Sequence, residues 1–282
     1  MDLNGIVFPS QKFDFYTVRQ FTDELIFIPS NIPDKKIPCL FIQDKTSRLS
    51  KNFLIVFHGN AEDIFSAYNM GASLHKKIGM NIILVEYPGY SIYKGESNAE
   101  DILQNATSVY DFIKSEFNLE DRNIFVFGRS IGTSPAIYLA SVRKPNALFV
   151  ISAFTSIRAV ADNLVGPLKY LLKERLSSKD YIKNVTCPTL LVHGQSDPLI
   201  PFKETLLLKQ ICECPFEVSL PENMTHNDFD LDEDIIDPIN SFIKRNCIVD
   251  YKKNEFKNIS EQIKALFEMP EEIKKYIDKN MK

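Results

Sequence analysis

Residues Asn123-Ile124-Phe125-Val126-Phe127-Gly128-Arg129-Ser130-Ile131-Gly132-Thr133-Ser134-Pro135-Ala136-Ile137-Tyr138-Leu139-Ala140 decide how this chain folds. An apolar run of strand character ends in a Gly-x-Ser-x-Gly pentapeptide, and the residues after it have the composition of a helix. A strand, a sharp turn and a helix in succession hold a serine on strained backbone at the strand's end. Glycines two residues to either side remove the Cβ atoms that would collide where strand and helix approach. Pro135 falls in the first helical turn, where a missing N–H leaves no intrahelical bond unmade. Ser130 is therefore the first candidate nucleophile.

A serine hydroxyl of ordinary pKa needs a general base, and the base needs a partner that fixes its tautomer. The chain has four histidines. His58 and His193 open His-Gly turns directly after the strand-like runs Phe53 to Phe57 and Thr189 to Val192, and His75 lies in a helical segment beside Lys76 and Lys77, where it reads as a solvated surface residue. His226 remains, in the polar loop Pro221-Glu222-Asn223-Met224-Thr225-His226-Asn227-Asp228 that follows the short run Phe216 to Leu220. The acid chosen for it is Asp197, in the turn after the strand ending near His193. An oxyanion formed on attack needs preorganised N–H donors, one after the nucleophile and one from the turn after an early strand. Ile131 supplies the first. The turn His58-Gly59-Asn60-Ala61-Glu62-Asp63 is placed to supply the second through Asn60, with Ala61 as runner-up, and the His58 side chain is expected to bond the loop backbone.

Four blocks together resemble the α/β-hydrolase branch that contains the domain-17 type protein depalmitoylases and the Bem46-like proteins. They are His58-Gly59-Asn60-Ala61-Glu62-Asp63, Glu86-Tyr87-Pro88-Gly89-Tyr90, Gly128-Arg129-Ser130-Ile131-Gly132, and His193-Gly194-Gln195-Ser196-Asp197 with Thr225-His226-Asn227-Asp228. The chain order Ser130, Asp197, His226 is also that of the α/β-hydrolases. The resemblance implies that these three residues form a catalytic triad. Two departures stand out. The family's small Gly-Tyr-Gly turn reads Gly89-Tyr90-Ser91 here, which implies a local backbone adjustment. The depalmitoylating members carry an N-terminal cysteine cluster that anchors them to membrane, whereas the first cysteine here is Cys39, so that anchor is expected to be absent.

At 282 residues, with 44% hydrophobic and 25% charged, the composition suits one large α/β domain. A net charge of −4 without a basic stripe gives no reason to expect a nucleic-acid partner. No apolar run approaches the ~18 residues that span a bilayer. The five scattered cysteines argue against a disulfide framework and for the cytoplasm. The Cys212-Glu213-Cys214 pair has no further ligand at metal spacing, and neither metal nor cofactor is expected.

Strand and helix signals alternate, the signature of a mostly parallel sheet covered by helices on both faces. Eight strands are expected: Glu24 to Pro29, Cys39 to Gln43, Phe53 to Phe57, Asn81 to Glu86, Asn123 to Phe127, Ala147 to Ser152, Thr189 to His193 and Phe216 to Leu220, the first two antiparallel. A helix is predicted over Asn98 to Phe117, with Ile102, Ala106, Val109, Tyr110, Ile113 and Phe117 on its buried face and Ser97 with Glu100 as a capping box. A short helical lid is expected over about 153–184, leaving the serine fairly open, with Leu164, Val165, Leu168, Tyr170, Leu171 and Leu172 either packing the lid or lining an acyl groove. The hydrolase domain is read as residues 1–247. Residues 248–282 form a charged amphipathic extension marked by Phe256, Ile259, Ile263, Leu266 and Phe267. It is expected to dock on the enzyme's own surface, with a partner or a membrane surface as the alternative.

The activity these readings imply is cleavage of an acyl ester or thioester through a covalent acyl-enzyme. The resemblance favours an acylated protein as substrate. A small-ester or lipid carboxylesterase is the alternative within enzymes, and a hydrolase fold used as a structural or binding subunit is the alternative from another class.

Overall fold

The computed structural model describes residues 15–43, 50–160, 176–247, 249 and 266–280. A short helix, α1 (Phe15–Gln20), leads into the antiparallel pair β1 (Leu25–Pro29) and β2 (Lys36–Ile42). There follow β3 (Phe53–Phe57), α2 (Tyr68–Ile78), β4 (Asn81–Val85), α3 (Ala99–Glu116), β5 (Ile124–Arg129), α4 (Thr133–Val142) and β6 (Ala147–Ile151). The chain continues through α5 (Ser178–Ile182), β7 (Thr189–Val192), α6 (Lys203–Ile211), β8 (Phe216–Ser219) and α7 (Asp237–Asn246), and α8 (Glu271–Asn280) lies near its end.

The eight strands form one sheet in the order β1-β2-β4-β3-β5-β6-β7-β8. β2 pairs antiparallel with β4 as well as with β1, and every pairing from β4 through β8 is parallel. This is the expected eight-stranded, mostly parallel architecture, with strand ends shifted by up to three residues. Parallel strands are covered on both faces and so read as continuous apolar runs. β3, Phe-Leu-Ile-Val-Phe, is buried at all five positions. Its alternate residues divide between two cores. Phe53, Ile55 and Phe57 pack with α3, α4, α5 and α6, whereas Leu54 and Val56 pack with α1, α2 and α7.

α3 buries Ile102, Ala106, Val109, Tyr110 and Ile113 as its spacing predicts. Its cap is not the expected one. Asn98 is the N-cap and its side chain accepts the Asp101 N–H at 2.8 Å, while Ser97 Oγ donates to the Pro88 carbonyl at 2.5 Å. Ser97 is drawn away because the Pro88 turn crosses directly beside it, and Asn98 is an equally good cap one position later.

The lid residues Leu164, Val165, Leu168, Tyr170, Leu171 and Leu172 lie outside the described residues, as do Phe256, Ile259 and Ile263 of the extension. Leu266 and Phe267 pack with the core on the α3–α4 face, and Met269 and Ile273 with the core on the α2–α7 face. Within a few residues the chain thus serves both layers. Leu266 and Ile273 are each less than a tenth exposed. Burying two such side chains contributes roughly 1.5–3 kcal/mol each, and for a domain of this size 1 kcal/mol moves the melting temperature by about 2–4 °C. Deleting residues 248–282 should therefore lower the melting temperature by at least ~5 °C by calorimetry; an unchanged value would mean that this burial contributes nothing.

Ser91, where the resembling family has glycine, keeps the left-handed backbone at φ 46°, and the expected local adjustment has not removed the strain. Its Oγ is also buried without a hydrogen-bond partner among the described residues. Two costs fall on one residue. Ser91→Gly should relieve both and raise stability by about 1 kcal/mol, read as a rise of ~2–4 °C in thermal unfolding.

Candidate active site

Because β3 through β8 are parallel, the turns that leave their carboxyl ends gather along one edge of the sheet. Those turns carry His58 to Asp63 after β3, Glu86 after β4, Ser130 after β5, Asp197 after β7 and His226 after β8.

Ser130 has φ 53°, the left-handed conformation expected of a nucleophile elbow. It opens a single 3₁₀ turn, Ser130–Gly132, that continues into α4. The two flanking glycines are required by close approach. A Cβ on Gly132 would strike the backbone of Phe57 and His58, and one on Gly128 would strike the Gly132 backbone and lie 2.8 Å from Ala136 Cβ. Ser130 is 7% exposed, less open than the short lid led us to expect. The 3₁₀ turn is pressed against the end of β3, and His226 Nε2 lies within hydrogen-bond reach of the hydroxyl.

The structure brings the three sequence-predicted residues together. His226 Nε2 lies 3.0 Å from Ser130 Oγ, and His226 Nδ1 lies 2.8 Å from Asp197 Oδ2. A carboxylate only accepts, so Nδ1 carries the proton and Nε2 is free to accept from the serine hydroxyl. Asp197 is itself held from behind. Its Oδ1 accepts the Leu199 and Ile200 N–H groups, each at 2.9 Å, and Oδ2 lies 3.4 Å from His193 Nε2. Burial alone would raise its pKa, but hydrogen bonds from His193, His226 and Ile200 outweigh it and hold the carboxyl well below the usual aspartate range.

His193 was given no role by the sequence beyond opening a turn. Its Nε2 donates to the Ile200 carbonyl at 2.8 Å and its Nδ1 accepts from Thr205 Oγ1 at 2.7 Å, so it buttresses the Asp197 loop. His75, expected to be solvated, is half-buried, with Nδ1 donating to the Met80 carbonyl at 2.7 Å. The surface reading fails because the chain turns back at Gly79 and offers that carbonyl to the last turn of α2.

The turn after β3, expected to carry an oxyanion donor, is braced by the block Glu86 to Tyr90. His58 Nδ1 donates to the Gly59 carbonyl at 2.9 Å, the loop-backbone bond that was expected, but Nε2 also meets Glu86 Oε1 at 3.1 Å in a fully buried pair. Glu86 further accepts the Ile64 and Tyr87 N–H groups, Tyr87 Oη donates to the His58 carbonyl at 2.8 Å, and Tyr90 Oη donates to Asn60 Oδ1 at 2.7 Å. Burial lowers His58, yet the Glu86 carboxylate more than compensates and its pKa is raised; burial raises Glu86, which His58 only partly offsets. Ala61 in this turn has φ 56°. Sequence reasoning missed the Glu86–His58 pair, although a glutamate at the end of an otherwise apolar strand was a signal for it.

No protein-family model matches the chain. Alpha/beta hydrolase domain-containing protein 17C of Mus musculus is 27% identical over 235 residues, covering 83% of this chain and 72% of that protein. The human protein 17B is 25% identical over 240 residues, 85% of this chain and 82% of its own length. Among solved structures, an esterase from Pyrococcus furiosus superposes with a TM-score of 0.67 at 15% identity, covering 79% of this chain and 91% of that one. The chain has the α/β-hydrolase fold. Est1E from Butyrivibrio proteoclasticus shares that fold, with a TM-score of 0.61 at 16% identity over 79% of this chain and 98% of its own. The sequence resembles the domain-17 branch of the α/β hydrolases.

A carboxyl whose folded pKa is depressed stabilises the fold above its unfolded pKa, about 3.9 for aspartate, and loses that contribution as pH falls through the lower folded value. Asp197→Asn should therefore melt several degrees below wild type near pH 7, with the gap closing as pH is taken below about 4. A pH-independent gap would show that the charge of Asp197 is not what stabilises this loop.

Proposed function

We propose that this chain is a serine hydrolase that cleaves an acyl ester or thioester through a covalent acyl-enzyme. The observation that carries the reading is the unbroken line from Asp197 through His226 to Ser130, with both ring nitrogens engaged and the aspartate held by two backbone N–H groups. In this mechanism Ser130 attacks the carbonyl carbon while His226 Nε2 takes its proton. Asp197 holds the imidazole by Nδ1 and stabilises the imidazolium. The N–H groups of Ile131 and Asn60 receive the oxyanion. His226 then protonates the leaving alcohol or thiol, and water repeats the attack on the acyl-enzyme. No step calls for a metal or cofactor.

The resemblance to the domain-17 branch supports an acylated protein as substrate, which makes the chain depalmitoylase-like. The burial of Ser130 favours the second reading, a small-ester or lipid carboxylesterase, since a bulky carrier needs a reachable hydroxyl. All five cysteines are free, which supports residence in a reducing compartment such as the cytoplasm. Among the described residues no helix is long and apolar enough to cross a membrane, so contact with one would be peripheral.

Labelling of the purified full chain by a fluorophosphonate probe tests the nucleophile without assuming a substrate. Wild type should label and folded Ser130→Ala should not; His226→Ala should lose turnover, and Asp197→Asn should lose ~10³–10⁴-fold in kcat. Equal labelling of wild type and Ser130→Ala would sink the mechanism, and a folded wild type that does not label would move the structural-subunit reading to the front. A series of acyl esters and thioesters of increasing length then separates the two substrates: preference for long acyl thioesters supports the depalmitoylase-like reading, and preference for short esters the carboxylesterase.

A further inference from the structure

Arg129 precedes the nucleophile, is buried to within 7% of its side-chain surface, and takes no part in the Asp197–His226–Ser130 line. Its Nη1 donates to Glu62 Oε1 at 2.5 Å, and its Nη2 donates to the His226 carbonyl at 2.8 Å and to Asn227 Oδ1 at 2.9 Å. Its Cζ lies 5.5 Å from the Phe229 ring centroid, where a guanidinium gains a cation–π contact. Glu62 continues the chain of bonds, because its Oε2 accepts the Gly59 N–H at 2.8 Å. One cation therefore joins the end of β5, the turn after β3 and the loop after β8.

Taking the Arg129 guanidinium out of water costs several kcal/mol, Glu62 keeps 30% of its side-chain surface exposed, and apolar residues of similar volume often give equal or better stability than such a buried ion. Stability alone does not call for this pair. The atoms it holds are specific: the backbone carbonyl of the general base, and the N–H immediately before Asn60.

We propose that Arg129 and Glu62 form a positioning clamp that ties the histidine loop to the oxyanion turn, holding His226 and the Asn60 N–H in one geometry about Ser130. The clamp rests on the hydrolase reading of the site. It acts through His226 and the turn and touches no substrate. It should therefore affect the chemical step and leave substrate binding nearly unchanged.

The test compares full-length wild type with Arg129→Met, Arg129→Lys, Glu62→Gln and the double variant Arg129→Met with Glu62→Gln. For each, the rate of fluorophosphonate labelling, kcat and KM on a p-nitrophenyl acyl ester, and melting temperature are measured. Since misplacement by about 1 Å can cost ~10²-fold, Arg129→Met and Glu62→Gln should each slow labelling and kcat by about tenfold or more with KM within about twofold. The double variant should lose no more than the worse single one, and Arg129→Lys should recover part of the loss. Folded Arg129→Met labelled at the wild-type rate, losses that multiply in the double variant, or a change confined to KM would each overturn the clamp. If Arg129→Met does not fold, Glu62→Gln and Arg129→Lys decide, and wild-type rates in both overturn it. Wild type that fails to label overturns the hydrolase reading and the clamp with it, whereas labelled wild type with unaffected variants overturns the clamp alone.

Discussion

The contact on which the site depends is the one between Gly132 and the backbone of Phe57 and His58, which only a residue without a Cβ can make. It sets the 3₁₀ turn of β5 against the carboxyl end of β3, and the pairing of Phe57 with Gly128 puts both strand ends in register. Ser130 opens that turn at φ 53°, directly beside the point where β3 ends and His58 begins the next turn. The strain, of order 1–3 kcal/mol for such a residue, is offset by the apolar burial of a sheet whose central strands are inaccessible on both faces.

Around that contact lies an unusual amount of buried polarity for the end of a sheet. Asp197, His193, His226, His58, Glu86 and Arg129 are all less than a tenth exposed. Each has partners, which is what makes their burial tolerable. The two halves of the network differ in electrostatics. On the Asp197 side the hydrogen bonds outweigh desolvation and fix a negative charge behind the histidine. On the Glu86 side desolvation prevails and raises the carboxyl, while contact with that carboxylate raises the His58 ring.

Much of the fold was legible because period and punctuation both pointed one way. The apolar runs of β3 to β7 read as buried parallel strands, and α3 showed its core face at helical spacing. What went unread depended on neighbours distant in sequence. Ser97 left its capping role for the Pro88 carbonyl across the turn. His75 found the Met80 carbonyl. Arg129 and Glu62 meet across 67 residues, and nothing local in either segment encodes that meeting. Charged residues in loops carry no periodic signal, so their partners emerge only when the sheet order is known.

The sequence by itself determined the strand–turn–helix around Ser130, the chain order of Ser130, Asp197 and His226, and the alternation that makes a parallel sheet, because these follow from local backbone preference and side-chain period. Tertiary structure alone decided that three segments meet at 3.0 Å and 2.8 Å, that the serine is buried, that Glu86 meets His58 and that Glu62 meets Arg129. The physical reason is that hydrogen bonds and ion pairs act over a few ångströms of space, whereas sequence records only distance along the chain.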